Sequence, residues 1–273
     1  MDEGLAARLL PGNLVLSARA FRVKVAEVYL RRNQEDVLKE LPERLDVDDW
    51  VELRAPERQR YLQEVRERQF AGMRRAAYLI GTEEVTAKLE RLKEIVDESA
   101  ANGWKVVVFS YFRDVLDRVD SVLGASTRFH LTGSTPTSRR QQVVEGFRQY
   151  DGHAVLIGQI EAAGLGLNLQ AASVVVITEP QLKPSTEDQA IMRSYRMGQP
   201  RMVRVHRLLA KDSVDERILQ LLETKRSLFR TYAHESDAKH ADTAAVDTSY
   251  ASIDVSAADE AKIVNEECAR LLP

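Results

Sequence analysis

One cysteine, Cys268, in 273 residues leaves no disulfide framework and no cluster of thiolates for a metal, and this usage fits a reducing compartment. Long apolar runs are also missing. The longest, 106–109 and 174–177, are far too short to cross a bilayer, which excludes a helical membrane span. The opening residues, Met1-Asp2-Glu3-Gly4, lack the basic start and apolar core of a secretion signal. Neither charge sign dominates: 39 basic against 42 acidic residues leave a net charge of -3. That balance does not announce a nucleic-acid binder, although a local basic groove can sit on an acidic protein. His130, His153 and His206 are dispersed and lack ligand spacing, so no metal site is expected. The expectation is a soluble protein of the cytoplasm, or of the nucleus in a eukaryote, with no membrane partner.

What the chain does hold is a 44% hydrophobic content, enough for a real core, in a length that exceeds one usual domain. Residues 1–50 carry apolar residues with no sheet to place them on, and 47–53 alternates weakly like a strand. In 51–103, Pro56 suits the first turn of one long charged helix to about Tyr78, with Tyr61, Val65, Met73 and Ala77 facing inward. A second helix, 83–101, sets Val85, Leu89, Leu92 and Val96 at helical spacing and stops at Asn102-Gly103. Across 104–233 short apolar runs at 105–109, 128–131, 154–157, 173–177 and 203–208 alternate with helical segments at 113–123, 136–150, 187–197 and 212–232. That is the pattern of an α/β fold, a parallel sheet with helices on both faces. The remainder, 234–273, begins acidic and aperiodic and reads as a flexible tail, with one short amphipathic helix through Ile263, Val264 and Leu271.

In such sheets ligands bind beyond the carboxyl ends of the strands, which directs attention to the loops there. Ser110-Tyr111-Phe112-Arg113 follows the first apolar run, Thr132-Gly133-Ser134-Thr135 the second, and Gly158-Gln159-Ile160-Glu161 the third. Hydroxyls and amides at helix starts are ordinary phosphate ligands, and the same groups also serve as plain helix caps. Farther on, a helix over 187–197 would align Gln189, Arg193 and Arg196 on one face. Two guanidinium forks so placed suit a phosphate, or else form a solvated face with ion pairs.

Several of these stretches together resemble the second RecA-like lobe of Swi/Snf-type DNA translocases, within superfamily two of the helicase-like ATPases. They are Lys105-Val-Val-Val-Phe-Ser110, Leu131-Thr-Gly133 with Arg140 and Phe147, Gly164-Leu-Gly-Leu-Asn-Leu169, and Gln189-Ala-Ile-Met-Arg193-Ser-Tyr-Arg196-Met-Gly-Gln199. The likeness extends over roughly residues 20–230. It implies a RecA-like parallel sheet with a helical N-terminal extension, preceded in 1–50 by a remnant of the first lobe. Arg193 and Arg196 would be arginine fingers acting on ATP and Mg2+ shared with that first lobe. Gln189 would position the nucleotide, with Gly166 and Asn168 linking its site to the DNA. Ser110, Arg113, Thr132, Gly133, Gln159 and Lys183 would face the phosphate backbone of double-stranded DNA.

The chain departs from the family pattern in places. Ile160 stands where a hydroxyl residue is common, Ala163 at a usual glycine, Tyr195 at a usual histidine, and Leu182-Lys183-Pro184 replaces Trp-Asn-Pro. Neither Gly-Lys-Ser nor Gly-Lys-Thr occurs, so no phosphate loop is present to hold ATP, and the chain is expected to need the first lobe in cis or trans. A non-catalytic DNA- or protein-binding regulatory module on the same lobe is the alternative expectation.

Overall fold

The computed structural model describes residues 43–81, 84–163, 167–196, 199, 201–237 and 253–272. The chain divides into two units, Met1–Leu41 and Pro42–Pro273, and every described residue belongs to the second. Of the expected first-lobe remnant over 1–50, residues 1–42 lie outside the described residues.

Six parallel strands form one sheet: β1 (Arg44–Val51), β2 (Lys105–Ser110), β3 (Thr127–Leu131), β4 (Val155–Gln159), β5 (Ala172–Ile177) and β6 (Val203–Ala210). Their spatial order is β1-β6-β5-β2-β4-β3. The central strands are rich in aliphatic residues and buried along almost their whole length, as strands covered on both faces require. Because every pairing is parallel, the strands are joined by crossovers, and the carboxyl ends of all six come to one edge.

Helices α1 (Ala55–Arg66) and α2 (Phe70–Arg75) stand where one long helix was expected. Arg68 takes a left-handed φ of 56°, and the Gln69 amide turns back to the Glu64 carbonyl at 2.9 Å. This ends α1 without the glycine that usually marks such a stop, so nothing in the charged stretch announces the break. Helix α3 (Ala87–Ala101) begins at Thr86, whose hydroxyl caps it by accepting the Leu89 amide. With α4 (Arg113–Leu123) it covers one sheet face through Leu89, Leu92, Val96, Val115 and Val119. Helix α5 (Thr137–Gln149) lies against β3, with Phe129 and Phe147 meeting edge to face at 5.6 Å. Short α6 (Ile160–Ala163) and α7 (Pro184–Ile191) follow β4 and β5, and α8 (Val214–Asp237) leaves the sheet after β6.

Two further expectations change. The weak strand placed at 47–53 lies at 44–51, paired residue by residue with β6 from Arg44↔Val203 to Val51↔Ala210. The expected boundary at residue 50 therefore cuts through an edge strand of this sheet. At the other end, residues 238–252 lie outside the described residues, but the tail from 253 onward packs down rather than staying flexible. Helix α9 (Ala257–Leu271) starts at a reciprocal Ser256–Asp259 capping box. Ile253, Val255, Ile263 and Val264 join Tyr61, Val65, Met73, Ile218 and Leu222 in a second core. Too sparse to announce a core alone, those apolar residues find one already half built by α1, α2 and α8.

Candidate nucleotide and nucleic-acid interface

The loops beyond the carboxyl ends of β2, β3, β4 and β5 lie side by side along one sheet edge, and they carry most of the expected phosphate contacts. At the end of β2, Ser110 is buried, and its hydroxyl donates to Glu179 Oε2 at 2.8 Å. The Tyr111 amide donates to the other oxygen of the same carboxylate at 2.7 Å. Gln181 Nε2 and the Thr178 hydroxyl also donate to Glu179, and this explains how a carboxylate with 1% exposure is tolerated. The group expected to meet a phosphate at Ser110 thus already has an anion, one supplied by the protein. Arg113, in contrast, is exposed at the first position of α4.

After β3 the chain forms a tight turn in which the Thr135 amide donates to the Thr132 carbonyl at 3.0 Å. Hydroxyls crowd it: Thr132 Oγ1 lies 2.9 Å from Ser134 Oγ and 3.2 Å from Thr135 Oγ1. Buried Arg140 braces it from α5, with Nε donating to the Thr135 carbonyl at 2.8 Å and Nη2 to the Gly133 carbonyl at 3.1 Å. Gln159, from the end of β4, accepts the Gly133 amide at 2.7 Å. Arg140 belongs to the quoted motifs, but only this bracing gives it a task.

Asn168 is exposed and closes a small local turn, its Oδ1 accepting the Gln170 amide at 3.1 Å. Gly166 lies outside the described residues. The Leu169 amide donates to the Arg193 carbonyl at 3.0 Å, so the segment carrying Asn168 is tied to the segment carrying the two arginines. That second segment is not helical as expected. Helix α7 ends at Ile191, and 192–196 continues as tight turns, with the Ser194 and Tyr195 amides both donating to the Ile191 carbonyl. Gln189, Arg193 and Arg196 therefore do not share one helical face. Gln189 and Arg196 are exposed, and Arg193 is half-buried.

What fixes this turn is Gln199, a residue that sequence reasoning missed. Its Nε2 donates to the carbonyls of Gln170 at 2.7 Å and Ala172 at 2.9 Å, and reaches that of Ser194 at 3.3 Å. The final glutamine of the Arg-rich motif thereby ties the arginine turn to the entry of β5. Its place in that motif was the only sequence signal available. At the start of α7, Lys183 is exposed in the N-cap position. Glu187 and Arg207 form an ion pair that fastens α7 to β6, and Arg207 also reaches Asp46 of β1 at 3.1 Å.

Exposed Arg196 on a braced turn suits an oxyanion approaching from outside the lobe. Among the described residues no group of three or more His, Cys, Asp or Glu side chains is arranged to hold a metal ion. Guanidinium forks have the chemistry to meet the phosphates of ATP. His206 Nδ1 instead pairs with Asp49 at 2.7 Å, and Arg91 joins the same carboxylate at 2.8 Å. Burial works against the charge on Asp49, but His206 and Arg91 outweigh it and hold its pKa below the usual carboxylate value. Among the described residues no helix is long and apolar enough to cross a membrane.

Comparison with known proteins agrees with this architecture. Residues 87–198 match the helicase conserved C-terminal domain. An uncharacterized ATP-dependent helicase of Mycoplasma pneumoniae is 31% identical over 222 residues, which are 73% of this chain and 22% of that protein. The DNA repair protein RAD5 of Saccharomyces cerevisiae is 34% identical over 152 residues, 53% of this chain and 13% of RAD5. The chain thus spans only a minor part of these relatives' length. Among solved structures, the C-terminal part of the Fun30 ATPase domain superposes with a TM-score of 0.60 at 20% identity, covering 66% of this chain and 89% of that one. The Sulfolobus solfataricus SWI2/SNF2 ATPase core in complex with dsDNA gives 0.58 at 22% identity, covering 86% and 56%. At such identities the superpositions speak for the fold alone.

Proposed function

The chain carries the C-terminal RecA-like lobe of a Swi/Snf-type helicase-like ATPase, and from that premise we propose that it is one half of an ATP-driven double-stranded DNA translocase. The observation that supports this most is the braced turn after α7. It presents Arg193 and Arg196 from a segment bonded both to the residues around Asn168 and, through Gln199, to the start of β5. ATP supplies the phosphoryl group whose transfer drives the cycle. In this reading Arg196, with Arg193 beside it, reaches across from this lobe and stabilises the charge that accumulates on that group. The first lobe, in cis or trans, contributes the phosphate loop and the magnesium ligands. Lys183, Arg113 and the Thr132–Thr135 turn line the sheet edge and meet the DNA backbone without reading bases.

The test is a steady-state ATPase assay with duplex DNA. The 273-residue chain alone shows no DNA-stimulated turnover, and adding a first lobe that binds it restores turnover. Arg196→Ala then lowers kcat about 10³-fold or more, the scale of lost arginine fingers. Robust turnover by the chain alone that Arg196→Ala abolishes, or no rescue by an associating first lobe, overturns the proposal. DNA binding by the chain that needs neither arginine, with no ATPase under any condition, favours a regulatory binding module instead.

A further inference from the structure

Two of the groups expected to grip DNA are bonded to each other. Gln159 Oε1 accepts the Gly133 amide at 2.7 Å, across neighbouring strands in which Leu131 stands opposite Gly158. The contact leaves no slack, because a Cβ added at Gly133 would lie 3.3 Å from that oxygen. On the far side of the same residue, Arg140 Nη2 takes the Gly133 carbonyl, and its Nε takes the Thr135 carbonyl. Gly133 is therefore held at both its amide and its carbonyl.

A trans peptide sets its C=O and N–H on opposite sides. Where the Gly133 carbonyl points to Arg140, the Ser134 amide on the same peptide points the other way. Ser134 is exposed, and its hydroxyl shares a hydrogen bond with Thr132. The geometry points to Gln159 as a positioning residue that does not touch DNA itself: with Arg140 it clamps Gly133 so that the Ser134 amide, with the Thr132 and Ser134 hydroxyls, is the group that meets a backbone phosphate. This role rests on the DNA-binding reading above. It replaces two expected contacts, Gln159 and the Gly133 amide, by one at Ser134.

The experiment compares the 273-residue chain with Gln159→Met, which keeps the side-chain length and removes the acceptor, and with Gln159→Glu, which restores an acceptor oxygen. Amide exchange of Gly133 is followed by NMR in the free protein, and affinity for a short duplex is measured separately. Gln159→Met speeds Gly133 exchange and weakens DNA binding, each about three- to tenfold, the scale of one lost hydrogen bond. Gln159→Glu restores Gly133 protection. Gly133→Ala strains the same contact from the other side, so combining it with Gln159→Met weakens binding by less than the product of the two single effects. If Gln159→Met weakens DNA binding while Gly133 exchange stays unchanged, Gln159 is a direct contact and the positioning role falls. Unchanged exchange with unchanged affinity also overturns it. Failure of the unaltered chain to bind duplex DNA overturns the DNA reading and this role together.

Discussion

Lys88 and Asp215 form a fully enclosed ion pair, 2.7 Å apart with side-chain exposures of 0% and 3%. Asp215 also accepts the Ala210 amide at 2.9 Å, and Lys88 Nζ reaches the Thr178 carbonyl at 3.3 Å, so the pair joins α3, α8 and the ends of β5 and β6. Removing one partner strands the other charge in the interior. Lys88→Met is expected to destabilise the lobe by about 3–5 kcal/mol, measured by urea unfolding, whereas a surface change such as Lys262→Met leaves the midpoint nearly unmoved. Nothing local distinguishes Lys88 from Lys93, the other lysine of its helix, because its partner lies on a distant segment. The arginine pair is the opposite case. Arg193 and Arg196 stood out as candidate phosphate ligands from residue type and motif, yet their placement on turns depends on Gln199.

At the scale of elements, α9 shows how a weak amphipathic signal becomes a docked helix. Its buried Glu267 accepts the Tyr61 hydroxyl at 2.6 Å and bonds from Arg270 and Arg217, which links α1, α8 and α9. Its first turn is fastened by Asp259, whose carboxyl is held down to about 2, chiefly by the Lys225 ammonium and the Ser256 hydroxyl. A depressed carboxyl contributes stability that is complete above its unfolded value of 3.8 and fades as the pH falls toward 2. Docking of α9 is therefore expected to loosen across that window, and Asp259→Asn to flatten the acid dependence. The reporter is built in. Cys268, the single cysteine, donates its thiol to the Val65 carbonyl across the interface at 3.3 Å, and its labelling rate with an acid-active disulfide reagent follows undocking.

For the whole molecule, a second core shared by α1, α2, α8 and residues 253–271 makes the C-terminal segment part of the lobe. A chain ending at 252 uncovers Tyr61, Val65 and Ile218 and is expected to lose several kcal/mol of stability, seen as a Tm lower by roughly 5 °C or more. The parallel sheet was readable from apolar runs alternating with helices, because buried strands and amphipathic helices carry different periods whatever their neighbours. The edge position of β1 was not, since its place is set by register with β6, a strand far along the chain. The same division holds for the site. Residue types and their order were enough to say which chemistry is present: two guanidiniums, a hydroxyl-rich turn, and neither Gly-Lys-Ser nor Gly-Lys-Thr. Which of those groups face outward was settled by tertiary contacts, because a polar group is committed by whatever donor or acceptor folding brings within about 3 Å. Ser110 is taken by Glu179 and the Gly133 amide by Gln159, whereas Ser134 stays exposed.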